Sequence, residues 1–297
     1  MSILDALIQG IIQGLIEFLP VSSDGHLILI QHFTGKSFDD IAFLNILLHI
    51  GTLLAVMVVF RKTIGMILIE FFTTLKDIFT GKFTFKAMNE YRRMLFLIFF
   101  SLIPLIPFSL LTNYLVSIAG DGDILIEGIM FMLMGLLLYF ADRVYPGNKT
   151  SADMGLGDSL LVGTCQCFAK LPGISRLGSA ISVMILRGYE KEFAITFSFL
   201  MGIPVIIGSN IKKAGDALEN SANLSLLPVI VGIVAAFLVG LVTIRFFIWI
   251  VRSDRLNIFS YYTIFIGVVV IIIALGERLL GATVYDIITG LFPKLLQ

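Results

Sequence analysis

Charge is scarce in this chain. Only 14% of its 297 residues are Asp, Glu, Lys or Arg, against about 25% in an ordinary soluble domain. The 21 basic and 21 acidic residues cancel to a formal net charge of zero, so the bulk composition offers nothing that favours nucleic acid. Cysteine is rarer still. Cys165 and Cys167 stand two positions apart in an apolar stretch, with no His or further Cys at metal-ligand spacing. They read as packed helix residues rather than a redox or zinc pair. The patterns G-x-x-x-x-G-K-[ST], H-E-x-x-H and G-x-S-x-G are all missing. Nucleotide-driven transport and the common soluble hydrolase schemes therefore lack support. The opening segment MSILDALIQG has neither a basic n-region nor a small-residue cleavage site, and is expected to stay in the mature protein. Strict apolar–polar alternation is absent from the greasy runs, which speaks against a transmembrane barrel.

What is abundant is apolar: 58% of the residues are hydrophobic and the mean hydropathy is +0.99. Several runs reach the roughly 20 residues needed to cross about 30 Å of hydrocarbon. The fold class is an all-α polytopic membrane protein. Complete spans are expected over 41–60, 92–112, 124–141, 193–211, 226–250 and 259–277. Residues 61–91 mix Arg61, Lys62, Lys76, Lys82, Lys86, Glu70, Asp77 and Glu90 with Phe71 and Phe72. That pattern suits an amphipathic or partly embedded helix and a loop, and a seventh span there stays open. The excess of Lys and Arg over 61–93 puts that segment on the cytoplasmic side. Counting spans from it places 113–123 outside, 142–155 inside, 212–225 outside and 251–258 inside. Arg252 and Arg255 agree with the last assignment, whereas Lys212 and Lys213 oppose theirs.

Two further greasy regions, 3–34 and 156–188, do not read as simple spans. Each carries Gly and Pro near its middle with polar residues grouped around the break. An unpaired peptide group in hydrocarbon costs several kcal/mol, so an open break must face protein or a cavity. A re-entrant helical hairpin meets that demand, and a kinked helix is the alternative. With hairpins, each half holds one hairpin and three spans, and the odd span count inverts the second half. The chain then forms one integral membrane domain over 1–297, with inverted repeats at about 1–141 and 156–277 and a C-terminal segment 278–297. Broken helices at a repeat interface commonly build central anion or ion sites in transporters, so this architecture admits an enzyme or a lipid carrier.

The breaks themselves look like copies: LIEFLPVSSDGH over Leu15–His26 and CFAKLPGISRLG over Cys167–Gly178. Gln13 and Glu17 are four apart and share a helix face. Glu17 either hydrogen-bonds within a polar junction or binds a hard cation such as magnesium or calcium. Pro20 ends or bends the entering helix, and Ser22 or Asp24 can cap the outgoing one. Ser23 offers a hydroxyl, and His26 can exchange a proton, bind an anion or attack phosphorus. In the second break, Gly173 and its neighbours expose peptide N–H groups to an anion. Arg176 can give two directed hydrogen bonds to phosphate or pair with Glu17 across the breaks. Ser175 can bind phosphate or cap its helix, and Gly178 suits close packing. Asn45 and His49 share one face of the 41–60 span, with His49 near its midpoint.

In these segments the chain resembles the bacterial undecaprenyl-pyrophosphate phosphatase, or bacitracin-resistance, family. QGLIEFLPVSSDGH at 13–26, QCFAKLPGISRLG at 166–178 and FSFLMGIP at 197–204 carry the likeness. The resemblance implies a fold of inverted repeats with two re-entrant hairpins in the bacterial inner membrane. It also implies hydrolysis of undecaprenyl pyrophosphate to undecaprenyl phosphate and inorganic phosphate, in the recycling of the cell-wall lipid carrier. Under it, Glu17, Ser23, His26 and Arg176 are the catalytic candidates, with Glu17 holding a divalent cation. Gln13, Ser22, His49, Gly173, Ser175 and Arg176 are the substrate-binding candidates. Partners would be the substrate and membrane lipid, with a homo-oligomer admitted; a polyprenyl-phosphate carrier is the rival function. Three positions depart from the family pattern: Leu177 and Ala180 replace a usual Ser and Thr, and Asp24 replaces a usual Ser or Thr. Loss of two hydroxyls is expected to weaken the grip on pyrophosphate oxygens while sparing Arg176.

Overall fold

A computed structural model describes residues 2–35, 42–84, 88–108, 111, 123–145, 147–218 and 226–291. Among these residues all regular structure is helical apart from one bridge between Lys149 and Tyr189. The first half holds α1 (Ile3–Ile16), α2 (Ser23–Thr34), α3 (Ala42–Val59), α4 (Arg61–Phe79), α5 (Glu90–Leu102) and α6 (Leu125–Arg143). The second holds α7 (Leu156–Cys167), a 3-10 turn at Phe168–Lys170, α8 (Arg176–Leu186), α9 (Lys191–Leu218), α10 (Leu226–Arg252), α11 (Asn257–Leu280) and α12 (Val284–Leu291).

Among the described residues, five helices are long and apolar enough to cross a membrane: Glu90–Phe108, Leu125–Arg143, Lys191–Ile211, Leu226–Arg252 and Asn257–Leu280. A sixth is reached only if α3 and α4 count together, and these meet at 86°. The protein is therefore a multi-pass helical membrane protein. Residues 61–79 form a single helix that is set at a steep angle to α3 rather than continuing it. The loop expected from 212 is also displaced, because α9 runs on to Leu218 and carries Pro204 within it.

Local chemistry sets the ends. Ser2 and Asp5 form a reciprocal cap on α1, each side-chain oxygen accepting the other's backbone N–H at 3.1 Å. α1 has 14 residues and α8 has 11. At 1.5 Å per residue they reach roughly 21 and 16 Å, short of the hydrocarbon thickness. α4 is held by its acids: Glu70 accepts from Arg92 Nε at 2.9 Å and from Asn89 Nδ2 at 2.6 Å, while Asp77 pairs with Arg92 Nη1 at 2.9 Å. Its remaining surface exposes Leu68, Ile69, Phe71, Phe72, Ile78 and Phe79.

Small residues bring two helix pairs into backbone contact. Gly10 and Gly14 of α1 lie against Gly232, Ala236 and Gly240 of α10, where any added Cβ would strike main chain. Gly128 and Gly135 of α6 meet α11 in the same way. Lipid offers apolar side chains no reason to associate, so close approach through small residues is the usual membrane solution. α8 lies deepest, with every residue from Leu177 to Ile185 buried. It packs against α6, α7 and α9. Phe18 and Val21 of the first break join its cluster, along with Phe199, Phe247 and Phe259. At the foot of α8, fully buried Tyr189 donates to Asp158 at 2.6 Å, and Asp158 also accepts from Arg187 at 2.8 Å. Burial first, and then that bond, push the Tyr189 phenol well above its ordinary pKa, so it stays a donor.

Candidate active site

The two breaks touch each other. Ser22 Oγ accepts the Gly173 backbone N–H at 3.0 Å and the Gly25 N–H at 3.3 Å. A Cβ on Gly25 would sit 2.6 Å from Gly173 N, and one on Gly178 would sit 2.7 Å from Pro20 Cβ. Each tip is thus lodged against the glycine that begins the other return helix. Ser22 adopts φ 65°, a left-handed value that costs a non-glycine residue on the order of 1 kcal/mol or more. Its bonds hold it there: besides the two donors on Oγ, its carbonyl accepts from His26 N at 3.2 Å and from His26 Nδ1 at 2.8 Å. Gly173, at φ 104°, makes the matching turn in the second break.

Around this contact four of the expected residues converge. Gln13 Nε2 lies 2.9 Å from Glu17 Oε2 and 3.3 Å from His49 Nε2, a pair of partners that its two N–H donors can serve. His49 Nε2 is 3.5 Å from the same carboxylate oxygen. Arg176 Nη1 stands 4.0 Å from Glu17 Oε1. The Glu17 side chain is only 7% exposed while that of Arg176 is 28% exposed. The carboxylate is therefore enclosed, whereas the Arg176 side chain keeps part of its surface open. A small cavity beside this pair is lined by Phe18, Val56, Leu177, Ser198, Phe199, Gly202 and Ile206.

The other expected residues have different surroundings. His26 turns toward α6 and α11: Phe131 meets it edge-on at 5.1 Å, and Tyr262 lies parallel to it with its hydroxyl 2.7 Å from Nε2. Ser23 is the first residue of α2, partly buried, and its hydroxyl makes no hydrogen bond among the described residues. Asp24 is exposed. Ser175 caps α8, accepting Gly178 N–H at 3.1 Å, and is buried, so capping accounts for it. Ser22 caps α2 as expected, and its second bond, to Gly173, gives it a further part. The Asn45 side chain lies outside the described residues. Cys165 is partly buried and Cys167 buried on α7. The two departures on α8 separate: Leu177 borders the cavity, whereas Ala180 is 1% exposed in the core.

Tyr262 escapes sequence reasoning because a tyrosine near the start of an apolar span reads as an interfacial anchor. The one available signal was the polar cluster Ser260, Tyr261, Tyr262 and Thr263 at the head of that span. A larger hollow of about 480 Å³ occurs elsewhere, lined by Thr63, Glu90, Arg93, Thr150, Ser151, Glu190 and Glu192 among others. Three carboxylates against one guanidinium make it a poor receptacle for pyrophosphate.

The model of a family described as bacitracin resistance protein BacA matches residues 6–269. An undecaprenyl-diphosphatase of Alkaliphilus metalliredigens is 40% identical over 276 residues, covering 93% of this chain and 100% of the relative. One from Christiangramia forsetii is 36% identical over 281 residues, covering 93% and 100%. One from Korarchaeum cryptofilum is 36% identical over 273 residues, covering 91% and 99%. The matched range takes in both breaks and the helices that carry Gln13, His49 and Tyr262, and on that footing the chain belongs to the bacitracin resistance protein BacA family.

Proposed function

We propose that this protein is a membrane hydrolase that converts undecaprenyl pyrophosphate to undecaprenyl phosphate and inorganic phosphate. The observation that carries this is the meeting of Glu17, Arg176, Gln13 and His49 where the two broken helix pairs touch. The Arg176 side chain is partly open and only 4.0 Å from Glu17, which leaves its donors available to a diphosphate oxygen. Both breaks are re-entrant and belong to inverted repeats; α1, α2, α7 and α8, all shorter than a span, support that architecture. The site opens to the outer face of the bacterial inner membrane, opposite the Lys- and Arg-rich 61–93 segment. Turnover there returns the lipid carrier to cell-wall synthesis.

Water supplies the incoming oxygen, the bond from the terminal phosphorus to the bridging oxygen breaks, and undecaprenyl phosphate leaves. Arg176 binds and orients the diphosphate and faces the charge that builds on its oxygens. His26 Nδ1 is committed to the Ser22 carbonyl, so Nε2 is the nitrogen that takes a proton or attacks phosphorus. Ser23, whose hydroxyl has no partner among the described residues, stands three residues from it. A divalent cation, magnesium or calcium, fits Glu17 in a limited way. No cluster of three or more His, Cys, Asp or Glu gathers as a cage among the described residues, but one carboxylate plus phosphate oxygens is a common magnesium arrangement. Such an ion would neutralise developing charge on the diphosphate.

The test is phosphate release from undecaprenyl pyrophosphate by purified protein in magnesium, in calcium and in EDTA. Glu17→Gln, His26→Ala and Arg176→Ala should each lower turnover about 100-fold or more, and EDTA should abolish it. Wild-type turnover in all three variants would refute the site. A folded wild type that moves lipid phosphate across proteoliposomes without releasing phosphate would replace the hydrolase with a carrier.

A further inference from the structure

Tyr262 of α11 grips the reactive nitrogen of His26. The phenol oxygen is 2.7 Å from His26 Nε2. The two rings are stacked, with centroids 5.7 Å apart and planes 4° from parallel. The opposite nitrogen, Nδ1, is 2.8 Å from the Ser22 carbonyl oxygen. A carbonyl oxygen can only accept, so Nδ1 bears the hydrogen. In the neutral ring Nε2 then offers its lone pair, and the phenol must be the donor. Phe131, wholly buried, meets the imidazole edge-on at 5.1 Å and 89°. Two hydrogen bonds and two aromatic faces thus fix the tautomer and the direction of the lone pair. Tyr262 itself is 41% exposed, so its hydroxyl has room to change partners.

We infer that Tyr262 is a positioning residue for phosphoryl transfer, holding His26 Nε2 aligned in the resting site and handing its hydrogen bond to an oxygen of the arriving terminal phosphate. The inference rests on the role given above to His26. No net proton moves in this exchange. The phenol keeps its hydrogen, swaps a nitrogen acceptor for a phosphate oxygen, and frees the Nε2 lone pair for its task. The energy at stake is one hydrogen bond to a charged acceptor, and it is stronger once charge builds on the oxygens of the transferring phosphoryl group than in the bound ground state. Tyr262 should therefore act on kcat more than on KM.

Tyr262→Phe keeps the ring, its stacking and its volume and removes the hydroxyl alone. Phosphate release from undecaprenyl pyrophosphate is expected to fall about tenfold, the loss of one such bond, chiefly in kcat. Tyr262→Leu, which also loses the ring, should fall further. In a His26→Ala background the added Tyr262→Phe change should cost clearly less than tenfold, because only the bond to the phosphate oxygen is left to lose. The chain has three histidines, so the imidazole nitrogens can be followed by 15N NMR and His26 assigned by its loss in His26→Ala. In the wild type Nε2 should resonate as a hydrogen-bonded lone-pair nitrogen, and in Tyr262→Phe it should move toward an unbonded one. Wild-type kcat and an unmoved Nε2 signal in Tyr262→Phe, with His26→Ala inactive, would overturn the inference while leaving the site intact. An active His26→Ala would instead strike the proposed site. A wild-type spectrum with the hydrogen on Nε2 overturns the inference even if no variant folds.

Discussion

The two breaks solve one problem with different residues. Both leave an apolar helix at Leu-Pro, and both begin the return helix with a serine that accepts the N–H of a glycine three residues on. The second break has two residues between Pro172 and its cap Ser175, and Gly173 takes the left-handed turn at no steric cost. The first has only Val21 between Pro20 and its cap, and the left-handed turn falls on Ser22 itself. That shorter turn is strained, and it is the one that carries His26. Strain is placed where the Ser22 carbonyl must hold an imidazole and its hydroxyl must reach across to the other break. The second break carries the cation and needs no such orientation, since a guanidinium presents donors over a wide fork.

The tightest way to break this comparison is to add a methyl at each cap glycine. Gly25→Ala puts Cβ 2.6 Å from Gly173 N and 2.7 Å from Phe131 Cζ. Main chain cannot yield there, so the tips must part. Gly178→Ala meets Pro20 Cβ at 2.7 Å and the flexible end of Met134 at 2.8 Å. Gly25→Ala should cost about 3 kcal/mol and most of the activity, and Gly178→Ala about 1 kcal/mol with activity largely kept. Thermal unfolding in detergent beside phosphate release checks both. Equal losses would mean that the tips are not held as unequally as these contacts require.

Next in size is the pair of capping serines. Ser22→Ala strips the acceptor from the Gly173 N–H in a buried junction, costing about 1–3 kcal/mol, and releases the strained turn that aims His26. Ser175→Ala removes an ordinary cap worth about 1 kcal/mol. Activity should fall well beyond the stability loss for Ser22→Ala and only in step with it for Ser175→Ala. If Ser175→Ala loses activity at full stability, Ser175 binds phosphate rather than merely capping α8.

Much of this was legible in advance, for physical reasons. Long apolar runs announce spans because lipid tolerates little else, and ionisable groups amid them announce the site because they are costly there. Glu17, Arg176 and His49 were found on that ground. The direction of α4 was not legible: an amphipathic pattern predicts a helix, but the 86° bend depends on Arg92 reaching Glu70 and Asp77 from α5. Nor was the end of α9, since Lys212 and Lys213 signal an interface while Lys and Ala also sustain a helix. Ser22 could be named as a cap, yet its left-handed turn and its bond across 151 positions to Gly173 belong to tertiary packing. Tyr262 is 236 positions from His26, a separation that no local pattern reveals.

The smallest expected effects concern Leu177 and Ala180, one turn apart on α8. Both stand where the family usually has a hydroxyl, but their surroundings are unlike. Leu177 borders the cavity shared by Glu17 and Arg176, so Leu177→Ser places a donor where phosphate oxygens arrive. KM should fall a few-fold, the value of one partly solvated hydrogen bond, with a small loss of packing. Ala180 is 1% exposed among core residues, and Ala180→Thr inserts two heavy atoms where no space is kept. That change should lower the unfolding temperature by several degrees, at about 1–2 kcal/mol of overpacking, and leave KM alone. Opposite results, with Ala180→Thr tightening substrate binding and Leu177→Ser inert, would move the diphosphate from the Leu177 side of α8 to the Ala180 side. They would also detach it from the Glu17–Arg176 pair.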